Sequence, residues 1–339
     1  MANKDTKAAP QTTAEETKKG ATPEEEARRR LLGGERTHFE GLGMPWAVLL
    51  GIPAQHVMPQ VVATVLSAGG TRPSWSWKRS GEEYHVMAWP KEEPVRAAVL
   101  VKGKEKEKLR PADAFPLIQG LPNDLTVDSV HPWQQGCGAN VAAYVDENYN
   151  PMWFYDPMYN RDQEDLTPGV KQTFLVGGIA FALKKALLDK LTITQGPYYE
   201  EYAKAWLEEH PGSKRLDVPP LQIDIAGKHI IMPGQNYCEY QMRTTVEEVE
   251  DHKLDKMDVK LIYVRFPFED HDPILLPIYA SKAILKDYEP KTGDEIDAYV
   301  WLQGRILDID DTTQPIPEGF VADPGKTAES AKAEEQDKK

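Results

Sequence analysis

The chain has 339 residues, a formal net charge of -14 and two cysteines, Cys137 and Cys238. That length gives room for two domains, and two cysteines build no disulfide framework. The opening MANKDTKAAPQTTAEETKKG has no apolar stretch for a signal peptide and no run reaches the roughly 20 apolar residues of a spanning helix, so a soluble protein of the reducing cytoplasm is expected.

The charge is unevenly placed. Residues 1–30 hold seven basic and six acidic side chains, and residues 322–339 hold four and five. The tails cancel, so the whole -14 lies in residues 31–321. A body that acidic repels phosphate backbones at long range, which argues against nonspecific nucleic-acid binding.

Residues 1–37 read as a disordered tail carrying one short capped helix, TPEEEARRRLL at 22–32. Residues 53–69 read as a helix stopped by Gly69 and Gly70, with an apolar stripe of Val57, Val61, Val62, Val65 and Leu66. Pro59 inside it should kink the helix or delay its start. SWSWKRSGEEYHVMAW follows, a hairpin pattern with Ser80-Gly81 at the turn. Residues 94–101 make another strand, and the charged KGKEKEKLR after it suits a solvated edge or hairpin tip. Residues 139–157 read as a second hairpin turning at 147–151.

The organising stretch is TPGVKQTFLVGGIAFALKKALLDK, residues 167–190. Thr167 and Pro168 suit a helix start, and Lys184, Lys185 and Lys190 suit its end. Phe174, Leu175, Ile179, Ala182, Leu183, Ala186 and Leu187 recur at helical spacing. The middle is apolar nearly all round, which predicts a central buried helix over about 168–189. A further helix is expected over 198–209, ended by His210-Pro211-Gly212.

The polar, Pro-rich SKRLDVPP at 213–220 marks a domain boundary. Beyond it five strands are expected, at 221–232, 237–250, 257–267, 274–285 and 295–307. The expected fold class is therefore α+β. An α+β domain of hairpins packed on the central helix (38–216) precedes a small antiparallel β-barrel, OB-like, or a β-sandwich (217–311). A second disordered tail covers 312–339. No internal repeat is visible.

Several stretches could carry chemistry. In His131-Pro-Trp-Gln-Gln-Gly-Cys137-Gly, a glutamine ahead of Cys-Gly resembles the start of papain-like nucleophile helices. That resemblance implies Cys137 as nucleophile, Gln134 or Gln135 as oxyanion donor, and a histidine base. The catalytic candidates are thus Cys137, Gln135 and His131, with His210, His229, His252 or His271 as possible bases. The alternating residues after Cys137 read instead as a strand, which makes Cys137 a small buried side chain.

The Asp156-Pro157-Met158-Tyr159 corner is a turn in which the carboxylate accepts backbone N–H groups. If the first domain holds a pocket, Trp153, Tyr155, Asp156 and Tyr159 line it. In the last strand, Tyr299 and Trp301 either pack internally or form an exposed stacking platform for single-stranded nucleic acid. Arg243, Lys260, Arg265 and Arg305 would supply its charge. Glu269-Asp270-His271-Asp272 has the ligand types for a cation, all in one loop. Asp308, Asp310 and Asp311 lack the glycine and glutamate of an EF-hand loop. There is no P-loop, dinucleotide glycine pattern, GxSxG, HExxH or CxxC pair, so no cofactor is expected. A binding or scaffolding role through protein or small-ligand contacts follows, with a Cys137 hydrolase and a single-strand binder as alternatives.

Overall fold

The computed structural model describes residues 40–51, 54–68, 73–104, 109–146, 151–267 and 271–308. The readings for tails 1–37 and 312–339, most of the 147–151 turn, and Asp270, Asp310 and Asp311 lie outside them. Strands dominate over helices.

The first hairpin follows its local signal. Ser80 and Gly81 both take positive φ, 50° and 81°, as a two-residue type I′ loop requires. They join β1 (Trp75–Arg79) to β2 (Glu82–Trp89), with Arg79 opposite Glu82. β3 (Val95–Lys102) and β4 (Arg110–Ile118) extend this into a four-stranded antiparallel meander. Of the charged KGKEKEKLR, Lys102 ends β3 and Arg110 begins β4. On one face, Val95, Ala97, Val99 and Val101 pack with α1 (Gly43–Leu50) and α2 (Ala54–Ala68). On the other, Ala98 and Leu100 pack with Phe115, Leu117 and Met158.

The predicted central helix is a strand. β8 spans Lys171–Lys185, and Val176 to Ala180 are buried throughout. A strand covered on both faces carries a continuous apolar run, which periodicity cannot tell from a buried helix. The apparent helix start is a turn. Thr167-Pro168-Gly169-Val170 closes by Val170 N–H donating to Thr167 O, with Gly169 at φ 82°. Proline second and a positive-φ glycine third are the type II pattern.

β8 is shared by two closed rings. β5 (Leu121–Pro132), β6 (Ala139–Tyr144) and β7 (Met152–Asp156) form one meander; β12 (Glu239–Leu254), β13 (Met257–Phe266) and β14 (Ile274–Ser281) form another. β15 (Glu295–Ile306) pairs antiparallel with β8 along their length. The first ring runs β5-β6-β7-β15-β8 and returns to β5; the second runs β12-β13-β14-β8-β15 and returns to β12. The strands expected over 237–250, 257–267, 274–285 and 295–307 overlap β12 to β15, and the strand that joins them in the second ring is β8 rather than one over 221–232. Strands from both sides of residues 213–220 hydrogen-bond in one nine-stranded sheet. β4 and β5 were not foreseen.

The topology also reveals a repeat that the sequence hides. Each meander ends in a single helical turn, α3 (Tyr159–Asp162) or α5 (Lys282–Leu285), before the shared strand. In each, the third strand pairs parallel to the other unit's last strand. β5 and β12 each bulge as they pass from one partner to the next, between Val127 and Ser129 and between Val246 and Glu248. A bulge bends a strand, and here it turns the barrel corner. One apolar core, with Val127, Phe154, Val176, Val246, Ile278 and Val300, runs through both rings.

Between β8 and β12 the chain leaves the barrels. β9 (Lys190–Ile193), helix α4 (Pro197–Glu209), a 3-10 turn at Arg215–Asp217 and β10 (Leu221–Asp224) make an arm over residues 186–228. β11 (Ile230–Pro233) then pairs with β12. The strand expected over 221–232 is split at Gly227, φ 65°.

Candidate functional site

Cys137 sits in the loop before β6, and its surroundings oppose a nucleophile. Its backbone N–H donates to Asp113 Oδ2 at 2.8 Å. Burial pushes the thiol pKa up and the Asp113 charge adds to it, whereas a reactive cysteine needs a lowered one. Gln134 and Gln135 are exposed, and their backbone N–H groups point to Glu40 Oε2. No histidine among the described residues hydrogen-bonds to Cys137. The Nδ1 of His210 lies 2.8 Å from Trp206 O, that of His229 2.9 Å from Thr244 Oγ1, and His252 lies between Glu93 and Glu250. His131 packs against Trp153.

The Asp156 corner is an internal joint. Asp156 is 0% exposed; its Oδ1 accepts Met158 N–H at 2.7 Å, and its Oδ2 has no partner among the described residues. Burial raises its pKa well above the carboxylate range, with Asp162 adding to the shift. Asp162 is raised by burial too, against the pull of Arg161, which clamps it and also reaches Asp308. The β1–β4 meander roofs this corner. Trp77 Nε1–H donates to Asn160 Oδ1 and Arg79 Nη1 to Asn160 O, while Asn160 N–H donates to Cys137 O. Gln303 accepts from Ile118 N–H and donates to Pro116 O, and the Arg305 guanidinium lies 5.8 Å from the Trp75 ring.

The aromatic candidates are brought together, but mostly to pack. Tyr155 is fully buried between Trp133 and Trp301, at ring distances of 4.4 and 5.5 Å. Trp153 packs on Tyr237 at 4.2 Å, and Tyr159 is partly buried against the barrel core. Trp301 is 5% exposed, and Tyr299 donates to Glu239 and packs on Phe181. The exposed stacking platform is therefore absent from these two residues. The cations proposed for it are engaged: Arg243 with Asp297, Arg265 with Glu247 and Lys260 with Asp251. His271 lies 3.7 Å from Asp146, Asp272 is exposed, and no group of three potential metal ligands occurs among the described residues.

A charged cleft of about 420 Å³ opens beside α5. Its charges satisfy each other. Lys260 bridges Asp251 and Glu289, Lys282 holds Glu289, and both ring nitrogens of His252 face carboxylates.

The arm is the region that sequence reading missed. Six of the twelve exposed large apolar side chains among the described residues lie there: Leu187, Leu188, Leu191, Tyr198, Leu216 and Ile223. Leu216 is 95% and Leu187 80% exposed. Only Ala203 and Val218 are buried within residues 186–228. The base is well held: Arg243 Nη1 donates to Leu188 O, Gly227 N–H to Glu295 Oε1, and Ile225 and Ala226 N–H to Asp189 O. Within the arm, Tyr199 donates to Val218 O and Arg215 pairs with Glu200. A usable sequence signal was Leu216, an isolated leucine between charged residues in a Pro-rich segment. Another was the alternation Leu191, Ile193 and Leu221, Ile223.

No helix among the described residues is long and apolar enough to cross a membrane. No family model matches the sequence, and no curated protein matches it. Among solved structures, the chain is similar to one described as the cytoplasmic molybdate-binding protein ModG with molybdate bound. The match has 12% identity and a TM-score of 0.23, covering 54% of this chain and 94% of that one. A TM-score that low leaves the reading to the geometry of this chain alone.

Proposed function

We propose that this is a binding protein of the cytoplasm that acts through protein contacts made by the arm, with the fused barrels as its rigid mount. The observation that carries this is the concentration of exposed leucine and isoleucine on a segment that buries almost nothing of its own. Monomeric soluble proteins rarely expose contiguous apolar surface unless something binds there. The mount favours the reading as well. The arm leaves from β8 and returns through β11 to β12, so its base is anchored in the barrel ladder. Neither cysteine is in a disulfide, which suits a reducing compartment. Against the hydrolase and nucleic-acid readings stand the raised thiol pKa of Cys137, with no histidine bonded to it among the described residues, and the packing of Trp301 and Tyr299.

Site-specific photo-crosslinking in the native cells tests this. A photoreactive residue at Leu191 or Leu216 should give protein adducts that the same residue at Asp258, on the barrel, does not. Equal yields at all three positions would overturn it.

A further inference from the structure

We infer that the outer face of the first ring binds an organic cation, the quaternary ammonium head of a small molecule, at a corner of three aromatic rings. This site stands apart from the arm and goes beyond the function just proposed. Its placement follows from alternation. Val130, Val141 and Phe154 pack on the barrel core, so His131, Asn140 and Trp153 face outward. Pairing sets His131 beside Asn140, and Asn140 beside Tyr155. Tyr237 joins them from the segment ahead of β12. Ring centroids lie 4.2 Å apart for Trp153 and Tyr237, 5.1 Å for His131 and Trp153, and 6.5 Å for His131 and Tyr237. These sides make a nearly right-angled triangle with its corner at Trp153, so the point equidistant from the three centroids lies half the long side from each. A cation resting one contact layer above that point, about 4 Å, is within roughly 6 Å of every centroid, the range over which a ring attracts it. Trp153 is tilted by 55° and 40° to the other two rings, which gives a corner rather than a flat stack. His131 is exposed, and Trp153 and Tyr237 are half-buried.

Charge selects the occupant. Residues 111–160, which supply all of β5, β6 and β7, contain six Asp or Glu and no Lys or Arg, in a chain with 40 Lys and Arg. At the average density of the chain, 50 residues would hold about six. The stretch is thus -6 in 50 residues, against -14 in 339 for the whole. Residues 229–242, which carry Tyr237, also have no Lys or Arg and one acid, Glu239. A cation meets ring faces and acids there, with no fixed like charge on the elements that carry them, while an anion is repelled. The corner is also held in place. Trp153 N–H donates to the Tyr240 hydroxyl at 2.7 Å. Cys238, next to Tyr237, is 1% exposed, and its carbonyl accepts Leu302 N–H at 2.7 Å. Rings fixed beforehand lose little freedom when a ligand arrives.

Calorimetric titration of the full chain with choline, and with 3,3-dimethylbutan-1-ol, its uncharged carbon analogue, reads this directly. Choline should bind at one site, more than about fivefold tighter than the alcohol, the worth of a single exposed cation–ring contact. Tyr237→Leu and His131→Leu keep apolar bulk and remove a ring. Each should weaken choline by about threefold to thirtyfold and leave the alcohol nearly unchanged. His131 is exposed, so circular dichroism of His131→Leu should match the wild type and separate lost binding from lost folding. No saturable choline binding, equal affinity for choline and the alcohol, or both variants binding choline like the wild type would overturn the inference. A trimethyllysine peptide that binds more than about tenfold tighter than choline overturns the small-molecule source. Crosslinking at Leu191 is independent of all these results, so the proposed function stands or falls separately.

Discussion

The two corners of the duplicated barrel share a backbone plan and have opposite electrostatics. At the first, β7 ends in Asp156 and α3 follows; at the second, β14 ends in Ser281 and α5 follows. The first lies under the β1–β4 roof, and its acids Asp113, Asp156 and Asp162 are all pushed up by burial. The second is an open cleft. There Glu289 is drawn down by Lys282 and Lys260, and nearby Asp294 by Lys185. What sits over a corner, more than the fold of the corner, decides whether burial raises the pKa values of its carboxylates or neighbouring cations lower them.

The largest effect should come from breaking the first ring. A Cβ on Gly120, at the entrance to β5, would stand 2.3 Å from Leu175 C and 2.4 Å from Val176 N, the backbone of the shared strand. Gly120→Ala is expected to cost more than about 3 kcal/mol, at the severe end of overpacking. Gly178→Ala, on the shared strand itself, meets Leu302 at an ordinary 3.4 Å and should cost far less. Denaturant midpoints compare them, and equal losses would refute this account of ring closure. Next comes Gln303→Leu, which strips Ile118 N–H and Pro116 O of their partner. The expected loss is about 2–4 kcal/mol. Hydrogen exchange should then quicken in β3 and β4 while β13 and β14 stay protected; a uniform change would mean that the roof is not a separate cover.

The buried acids sharpen the comparison through pH. A carboxyl whose folded pKa is raised holds its proton more tightly folded than unfolded. It therefore costs stability as pH climbs from about 4, the ordinary carboxylate value, toward the raised one. Asp156→Asn removes that titration and keeps an oxygen for Met158 N–H. The stability of the variant relative to wild type should grow with pH across that window, by no more than about 1.4 kcal/mol per pH unit. Thermal melts from pH 4.5 to 8 read the difference, and parallel curves would show that Asp156 is not the buried titrating group.

How far the sequence disclosed this depends on how local each signal was. The Ser80-Gly81 hairpin, the 139–157 hairpin, helix α4 and strands β12 to β15 follow from turn residues and alternation within a few positions. β8 does not, because double coverage erases its alternation, and the type II turn at Thr167–Val170 has the same residues as a helix cap. The repeat is invisible because it lies in strand pairing between distant residues such as Leu121 with Val176 and Glu239 with Trp301. Asp156 and Trp301 stand out in the sequence as residue types, but burial sets their surroundings, and burial depends on a roof that no local pattern announces. Leu187 looked like core because hydrophobicity alone does not state which side faces water.

The smallest effect should come from the open corner. Lys260 has its pKa raised, first by the hydrogen bond to Asp251 and then by that to Glu289, yet its partners are solvated. Lys260→Met keeps the apolar stem and deletes the charge. The expected loss is under about 1 kcal/mol, shrinking further as salt is added, because exposed pairs are screened. A loss as large as that of Gln303→Leu, unchanged by salt, would mean that the second corner is desolvated in solution as the first one is. The contrast between the corners would then have to come from the side chains at each corner rather than from the roof.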